Sequence, residues 1–161
     1  MEKNEPIFQL SNKGVVKLSE CLMQLICSYR QNEKKHTEAG GILMGRFIKN
    51  SKNIVIDRAT EPMKGDLKTR YSFKRLSSMH QVILDEEWLK SKGTCNYLGE
   101  WHTHPEEIPN PSIIDKRDWK RKLKNDDFSS RYLYFIIAGT KEILVWEGDR
   151  RTLDIKQLKK I

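Results

Sequence analysis

The sequence has few cysteines and no long apolar run, and each absence excludes a class of protein. No stretch approaches the roughly 18 apolar residues that a membrane span needs. The opening residues, MEKNEPIFQL, lack the apolar core of a signal peptide. The three cysteines, Cys21, Cys27 and Cys95, form no C-x-x-C pair, which argues against a disulfide framework and favours reduced thiols. We therefore expect a cytoplasmic protein without a membrane partner.

The sequence also lacks internal repeats, low-complexity tracts and linkers rich in proline, glycine or serine. A chain of 161 residues with 37% hydrophobic and 32% charged residues is expected to form a single domain over residues 1–161. The 30 Lys and Arg residues outnumber the 22 Asp and Glu residues, which gives a net charge of +8. That charge favours acidic partners through long-range attraction but does not identify one.

Hydrophobic spacing predicts a chain of mixed helices and strands. Helices are predicted from an N-cap at Ser19 to about Gln31, from Met79 until Gly93 ends the helix, and from Pro111 to about Lys124. Strands are predicted over 41–48 and 53–59, which together form a hairpin. A third strand is predicted to begin at Tyr97 and to end at Pro105, and two more are predicted over 132–138 and 142–147. Residues 60–70 are expected to form a loop. The element order is that of an α/β protein.

Two histidines one residue apart, followed by proline, point to a metal site. Side chains two positions apart in a strand lie on the same face, so His102 and His104 present both imidazoles together. Imidazole is a common metal ligand, and a catalytic zinc site usually has three protein ligands and an open fourth position. Asp115 is the candidate third ligand, because the proline-containing loop before it can turn the chain back.

Each part of this pattern also has an ordinary explanation. An isolated H-x-H pair is more often two unrelated histidines than a metal site. Ser112 and Asp115 have the S-x-x-D spacing of a helix capping box, and a carboxylate in the first helical turn also interacts favourably with the helix dipole. Glu38, taken alone, is explained as a solvated acid at the entrance to a strand. The individual residues leave these alternatives open.

Together, the strings resemble a known family. His102-Thr103-His104-Pro105, a six-residue spacer, Ser112 and Asp115 resemble the JAMM signature of the JAB/MPN metallopeptidases. Upstream, EAGGILMG (residues 38–45) resembles the family's second segment, in which a glutamate precedes a glycine-containing strand. The resemblance covers roughly residues 15–148. It implies a cytidine-deaminase-like α/β fold with a curved mixed sheet flanked by helices.

The resemblance also implies the site and its chemistry. His102, His104 and Asp115 would hold Zn²⁺, which lowers the pKa of its bound water to about 7. Glu38 would act as general base and then as proton donor to the leaving amine. Ser112 would donate a hydrogen bond to the tetrahedral oxyanion. Three further expectations concern neighbouring residues: Gly40 and Gly41 leave room for a substrate tail, Trp101 and Thr103 pack in the core, and His36 and His80 are surface or structural residues.

The short chain is similar to small bacterial JAB peptidases that work beside E1- and E2-like enzymes, including the deconjugating peptidase of anti-phage (CBASS-type) CD-NTase operons. This implies an isopeptidase or peptidase acting on a ubiquitin-like protein or a C-terminal tail conjugate, with E1/E2-like enzymes and a CD-NTase as partners. Two alternatives are a hydrolase that trims ubiquitin-like sulfur carriers and a RadC-like DNA-associated JAB protein. The second would use the basic residues Lys116, Arg117, Lys120, Arg121, Lys122 and Lys124. A solvated helix face explains these charges better than nucleic acid does, because no aromatic stacking pattern accompanies them.

Overall fold

The structure, a computed structural model, describes residues 5–161. That part of the chain contains the helices α1 (Glu20–Ser28), α2 (Met79–Lys90) and α3 (Ile113–Asn125). Its strands are β1 (Ile7–Gln9), β2 (Val15–Leu18), β3 (Gly40–Phe47), β4 (Ile54–Ala59), β5 (Leu67–Thr69), β6 (Ser72–Lys74), β7 (Asn96–Thr103), β8 (Tyr132–Ala138), β9 (Ile143–Asp149), β10 (Ile155–Gln157) and β11 (Lys159–Lys160). Within residues 5–161, none of the helices has the length and apolar character required to span a bilayer.

Nine of the strands form one mixed sheet in the order β10-β9-β8-β7-β3-β4-β2-β1-β11, and β5 and β6 form a separate hairpin. Strands β7 and β8 are parallel, as are β2 and β4, and the other pairs of the large sheet are antiparallel. The register between β3 and β7 shifts between Leu43 and Met44. Opposite this shift, Gly99 has φ +142, and a Cβ there would lie 1.7 Å from the carbonyl oxygen of Tyr134. A glycine therefore allows β7 to bend while it stays paired on both sides.

The sheet closes on itself. Nine strands side by side in a flat sheet would separate the outermost two by roughly 38 Å. However, β10 and β11 are joined by Leu158 alone, a link that spans at most about 7 Å. The hydroxyl of Ser11, just after β1, also donates a hydrogen bond to the carboxylate of Glu147 in β9. The two edges of the sheet are therefore adjacent, which confirms the expected curvature and extends it to closure.

Alternate residues of β8 contribute to two hydrophobic clusters, one on each face. Tyr134, Ile136 and Ala138 belong to the cluster that includes the buried face of α1. Leu133, Phe135 and Ile137 belong to the cluster that includes Trp119 and Leu123 of α3. A strand buried on both faces is apolar along its whole length, which explains the uninterrupted sequence YLYFIIA. This strand pairs with β7 and so supports the strand that precedes the candidate site.

The structure confirms the α/β class and the interior elements, and it differs from the sequence prediction at several boundaries. Helix α1 ends at Ser28 instead of near Gln31. The predicted loop over 60–70 contains β5, which pairs with β6. Strands β1, β2, β6, β10 and β11 were not predicted. Helix α2 ends as predicted, with Gly93 at φ +82 after its last turn.

Candidate metal centre

The two histidines of the H-x-H pair lie at the end of β7 with their ring nitrogens together. Nε2 of His102 and Nε2 of His104 are 3.0 Å apart. His104 lies one residue beyond β7, but its backbone N–H still donates to the carbonyl oxygen of Ala138 at 2.9 Å. Thr103 points to the opposite side, where its hydroxyl donates to Gln31 and accepts the N–H of Ala39. The alternation of side chains along an extended segment therefore brings both imidazoles to one face, as predicted.

Asp115 completes a triangle of ligand atoms with the two histidines. Its Oδ2 lies 3.4 Å from Nε2 of His102 and 3.1 Å from Nε2 of His104. The same Oδ2 accepts the N–H of Ser112 at 2.8 Å, and the N–H of Asp115 donates to Oγ of Ser112 at 3.0 Å. These two hydrogen bonds form a capping box at the start of α3. The capping box and the approach to the histidines are thus present together, and neither excludes the other.

The size of this triangle fits a tetrahedral zinc ion. Zinc bonds of 2.0–2.2 Å in tetrahedral geometry separate neighbouring ligand atoms by about 3.3–3.5 Å. The observed separations are 3.0, 3.1 and 3.4 Å. Two imidazole nitrogens and one carboxylate oxygen are also a common donor set for catalytic zinc. His102, His104 and Asp115 can therefore hold such an ion with one position left for water or substrate.

Glu38 lies next to the triangle, in the segment that enters β3. Its side chain is buried, and Oε1 is 3.8 Å from Nε2 of His104. Its backbone N–H donates to the carbonyl oxygen of Thr69 in β5 at 2.7 Å, which fixes the chain just before the strand. One ligand atom from each of Glu38, His102 and His104 lies within 4.8 Å of the others, so these residues form a second, wider set of possible ligands. The shorter distances favour Asp115 over Glu38 as the third ligand.

Burial and close contacts shift the pKa values of the titratable groups at the site. Burial raises the pKa of Glu38 to about 8, against the opposing influence of His104. Burial alone would lower the pKa of His104, but hydrogen bonds with Asp115 and Glu106 raise it to about 9. Burial would raise the pKa of Asp115, but hydrogen bonds with both histidines hold it well below its ordinary value. A divalent cation bound by the histidines and Asp115 would compete with the protons held at these nitrogens and oxygens, so its affinity would depend on pH.

Ser112 adjoins the site through Asp115. Its Oγ accepts the N–H of Asp115 as the N-cap of α3. That hydrogen bond uses a lone pair and leaves the hydroxyl proton available for another acceptor. All five residues expected from the sequence therefore lie together, at the end of β7, at the start of α3 and at the entrance to β3.

Glu106 was not among the residues expected from the sequence. Its Oε1 lies 2.7 Å from Nδ1 of His104 and accepts the N–H of Asn110 at 3.1 Å. The sequence did contain a signal for Glu106, because it is the first acidic residue after the H-T-H-P string. Histidine ligands commonly donate their second ring N–H to a carboxylate, so an acid so close in sequence was a reasonable candidate.

Gly40 and Gly41 have a different role from the one expected. A Cβ on Gly41 would lie 2.1 Å from the carbonyl oxygen of Thr60, and one on Gly40 would lie 2.6 Å from the ring of Phe73. The space beside both glycines is therefore filled by the protein itself, not left open for a substrate tail. Their small size allows β3 to pack closely against neighbouring segments.

The remaining expectations hold for the tryptophan, the threonine and the histidines outside the motif. Trp101 and Thr103 are buried, and Nε1 of Trp101 donates to the carbonyl oxygen of Thr60. His80 is fully buried and structural, with hydrogen bonds to Thr60 at 2.6 Å and to Asp66 at 2.7 Å. His36 lies outside the triangle and accepts the N–H of Glu33.

Comparison with known proteins agrees with this fold and identifies a family. The family of prokaryotic homologues of the JAB domain matches residues 23–152. A CD-NTase/cGAS isopeptidase of Escherichia coli strain TW11681 is 37% identical over 161 residues, covering 99% of this chain and 97% of the relative. A CD-NTase/cGAS isopeptidase of Vibrio cholerae serotype O1 is 32% identical over 161 residues, covering 100% and 98% of the two chains.

A solved structure has the same fold. The solution structure of a protein from Desulfitobacterium hafniense superposes with a TM-score of 0.58 at 18% identity, covering 91% of this chain and 89% of that one. The resemblance first seen in the H-x-H-P and S-x-x-D strings is thus confirmed over most of the sequence. The chain belongs to the family of prokaryotic JAB-domain proteins.

Proposed function

We propose that this chain is a zinc-dependent isopeptidase that removes a ubiquitin-like tail or conjugate from a protein, in a bacterial E1/E2-like conjugation system that serves a CD-NTase. The supporting observation is the triangle of His102, His104 and Asp115, whose ligand atoms lie 3.0–3.4 Å apart with Glu38 buried beside them. In this proposal the three residues of the triangle bind Zn²⁺, and residues 1–161 act as one catalytic unit. The broader assignment, a peptidase-type hydrolase of the JAB family, follows from family membership.

In this proposal, Glu38 and Ser112 have separate roles in the reaction. Zinc, when bound, supplies a water of lowered pKa and a positive charge beside the scissile carbonyl. Glu38 Oε1 accepts a proton from the attacking water and delivers it to the leaving amine nitrogen. The hydroxyl of Ser112 donates its free proton to the developing oxyanion. Burial of Glu38 keeps bulk solvent away from this proton transfer.

The substrate class is supported by relatives and by the cleft beside the site. The relatives from Escherichia coli and Vibrio cholerae are named CD-NTase/cGAS isopeptidases, which supports a conjugate of a CD-NTase as substrate. Phe73 and Lys74 of β6 line a cleft together with His102 and Asp115. Among the described residues, β6 pairs only with β5 and so has a free edge. An extended tail can add to that edge and bring its last carbonyl to the triangle.

The test uses the full-length protein and a fusion in which a CD-NTase or ubiquitin-like C-terminal tail is joined to a reporter. We expect about one zinc per chain and a cut directly after the tail, measured by elemental analysis and mass spectrometry. Glu38→Ala should abolish cleavage and keep zinc, whereas Asp115→Ala should lose both. His36→Ala, a histidine outside the site, should keep both. Unchanged metal content in a His102→Ala/His104→Ala double variant would contradict the proposal.

A further inference from the structure

The carboxylate of Glu106 lies outside the proposed catalytic set but contacts both a histidine of the site and the loop that leads to Asp115. Oε1 of Glu106 lies 2.7 Å from Nδ1 of His104, on the side of the ring away from the triangle. The same oxygen accepts the backbone N–H of Asn110 at 3.1 Å. Asn110 belongs to the loop that runs from Glu106 to Ser112 and leads into α3, which carries Asp115. A single oxygen atom therefore connects one ligand to the loop that leads to another.

The first contact determines which ring nitrogen of His104 carries the proton. A carboxylate only accepts hydrogen bonds, so Nδ1 of a neutral His104 must carry the hydrogen that it donates to Glu106. In this neutral form, which metal binding requires, Nε2 has a free lone pair, and it faces His102 and Asp115 at 3.0 and 3.1 Å. This is the tautomer that a metal ligand at Nε2 requires.

The backbone around Glu106 is itself held in place, so its carboxylate is well anchored. The carbonyl oxygen of Glu106 accepts the N–H of Thr140 at 2.8 Å, and the carbonyl oxygen of Glu107 accepts the N–H of Glu142 at 3.1 Å. Both donors lie between β8 and β9, next to the strand that pairs with β7. The Glu106 carboxylate is therefore fixed relative to the sheet and can orient the His104 ring.

We propose that Glu106 is a positioning residue, which holds His104 in the tautomer and orientation for binding metal and ties the loop before α3 to it. The inference rests on the proposed zinc site. Glu107 is a matched control, because it is the same residue type in the same loop, and its carboxylate pairs with Lys141 at 3.0 Å instead of with a site residue.

The experiment measures zinc affinity by chelator competition on full-length Glu106→Ala, Glu106→Gln and Glu107→Ala proteins. Loss of a carboxylate behind a histidine ligand typically costs 10–100-fold in metal affinity, so we expect a loss of about this size in Glu106→Ala. Glu106→Gln keeps an oxygen acceptor for Nδ1 and should retain part of the affinity. Glu107→Ala should bind zinc as the wild type does.

A spectroscopic measurement separates orientation from general stability. In Co²⁺-substituted protein, Glu106→Ala should change the visible absorption bands that report ligand geometry, and Glu107→Ala should leave them unchanged. Wild-type affinity and spectrum in Glu106→Ala, or an equal loss in Glu107→Ala, would overturn the role of Glu106 alone. A wild-type protein that binds no zinc would instead overturn the proposed function, and this inference with it.

Discussion

At the scale of single residues, Asp115 uses one oxygen atom for two purposes. Oδ2 accepts the N–H of Ser112 at 2.8 Å while it lies 3.1 and 3.4 Å from the two histidine nitrogens. The hydrogen bond restricts the rotamer of the carboxylate before any ion arrives, which lowers the entropy cost of ligand binding. Helix capping and the proposed metal binding, which the sequence presents as alternatives, are therefore compatible, and the first would assist the second. Ser112 accordingly has a structural role as N-cap that can be separated from its proposed catalytic role.

Two substitutions of Ser112 separate these roles. Alanine removes both the hydroxyl and the cap, whereas glycine removes the hydroxyl but costs the helix only a few tenths of a kcal/mol. We expect kcat to fall by on the order of 100–1000-fold in both variants, because both lose the proposed oxyanion donor. Ser112→Ala should also lower the free energy of unfolding by about 1 kcal/mol. Steady-state kinetics and urea unfolding measure the two effects, and a glycine variant with wild-type kcat would remove Ser112 from the catalytic set.

A second buried network lies away from the site and connects α2 to the sheet. Asp66 accepts hydrogen bonds from Nε2 of His80 at 2.7 Å and from the backbone N–H groups of Met63, Leu76 and Ser77. Burial would raise the pKa of Asp66, but the hydrogen bonds, from Ser77 and His80 first, lower it from 3.8 to about 2. The ionised form is therefore favoured in the folded state, and its stabilising effect depends on pH.

The Asp66→Asn variant tests this pH dependence. Because the pKa is lower in the folded state, the stabilisation is fully present above pH 3.8 and is lost as the pH falls towards about 2. We expect Asp66→Asn to be less stable than the wild type at neutral pH, and the gap to narrow across this window. Denaturant unfolding of both proteins at a series of pH values provides the measurement. A constant difference between pH 5 and the lowest pH of cooperative unfolding would contradict the expectation.

At the scale of secondary-structure elements, α3 determines where Asp115 lies, and Trp119 anchors α3. The Trp119 ring stacks on Phe135 of β8 with centroids 4.6 Å apart and also contacts Trp146 of β9. It is one turn from Asp115, and its ring centroid is 6.3 Å from that of His102. Loss of this ring would weaken the packing that holds the carboxylate near the histidines.

A pair of tryptophan substitutions tests this anchor. Trp119→Ala should lower the free energy of unfolding by about 3–5 kcal/mol, as expected for a large aromatic side chain removed from a core. It should also weaken zinc binding. Trp88→Ala, on α2 where the side chain is 50% exposed, should have a much smaller effect on stability and none on zinc. Equal zinc affinity in folded Trp119→Ala and wild type would show that α3 is positioned by other contacts.

The elements also show which parts of the fold the sequence can predict. Strand β8 is predicted residue for residue, because a strand buried on both faces is apolar throughout. Strands β10 and β11 are three and two residues long, and so short a segment has no periodicity to recognise. Likewise, the H-x-H-P and S-x-x-D strings and the EAGGILMG segment predict five residues that the structure brings together, whereas the contact between Phe73 and Gly40 depends on where a distant hairpin folds. Local pattern therefore predicts the chemistry better than the surroundings of the site.

At the scale of the whole molecule, the net charge of +8 leaves the kind of acidic partner open, and the structure bears on the nucleic-acid alternative. Lys122 pairs with Glu100 at 3.2 Å, and Arg121 pairs with Asp118 at 3.0 Å. These two cations of α3 are thus already neutralised. The aromatic residue of the helix, Trp119, is buried and unavailable for stacking on bases. The geometry favours a solvated helix face over a phosphate-binding one.

Closure of the sheet is a property of the whole molecule that depends on Leu158. This residue joins β10 to β11 and donates its N–H to the carbonyl oxygen of Val145 at 2.8 Å. It belongs to the same buried cluster as Phe8 of β1 and Val145 of β9, the strands next to the two edges. Leu158→Ala should lower the free energy of unfolding by about 2–5 kcal/mol, because it leaves a cavity where the two edges meet. Leu89→Ala, at a position 68% exposed, should change it by no more than about 0.5 kcal/mol. Denaturant unfolding of the two variants and the wild type measures these changes. Similar stabilities for all three would mean that the two edges of the sheet hold together without the Leu158 side chain.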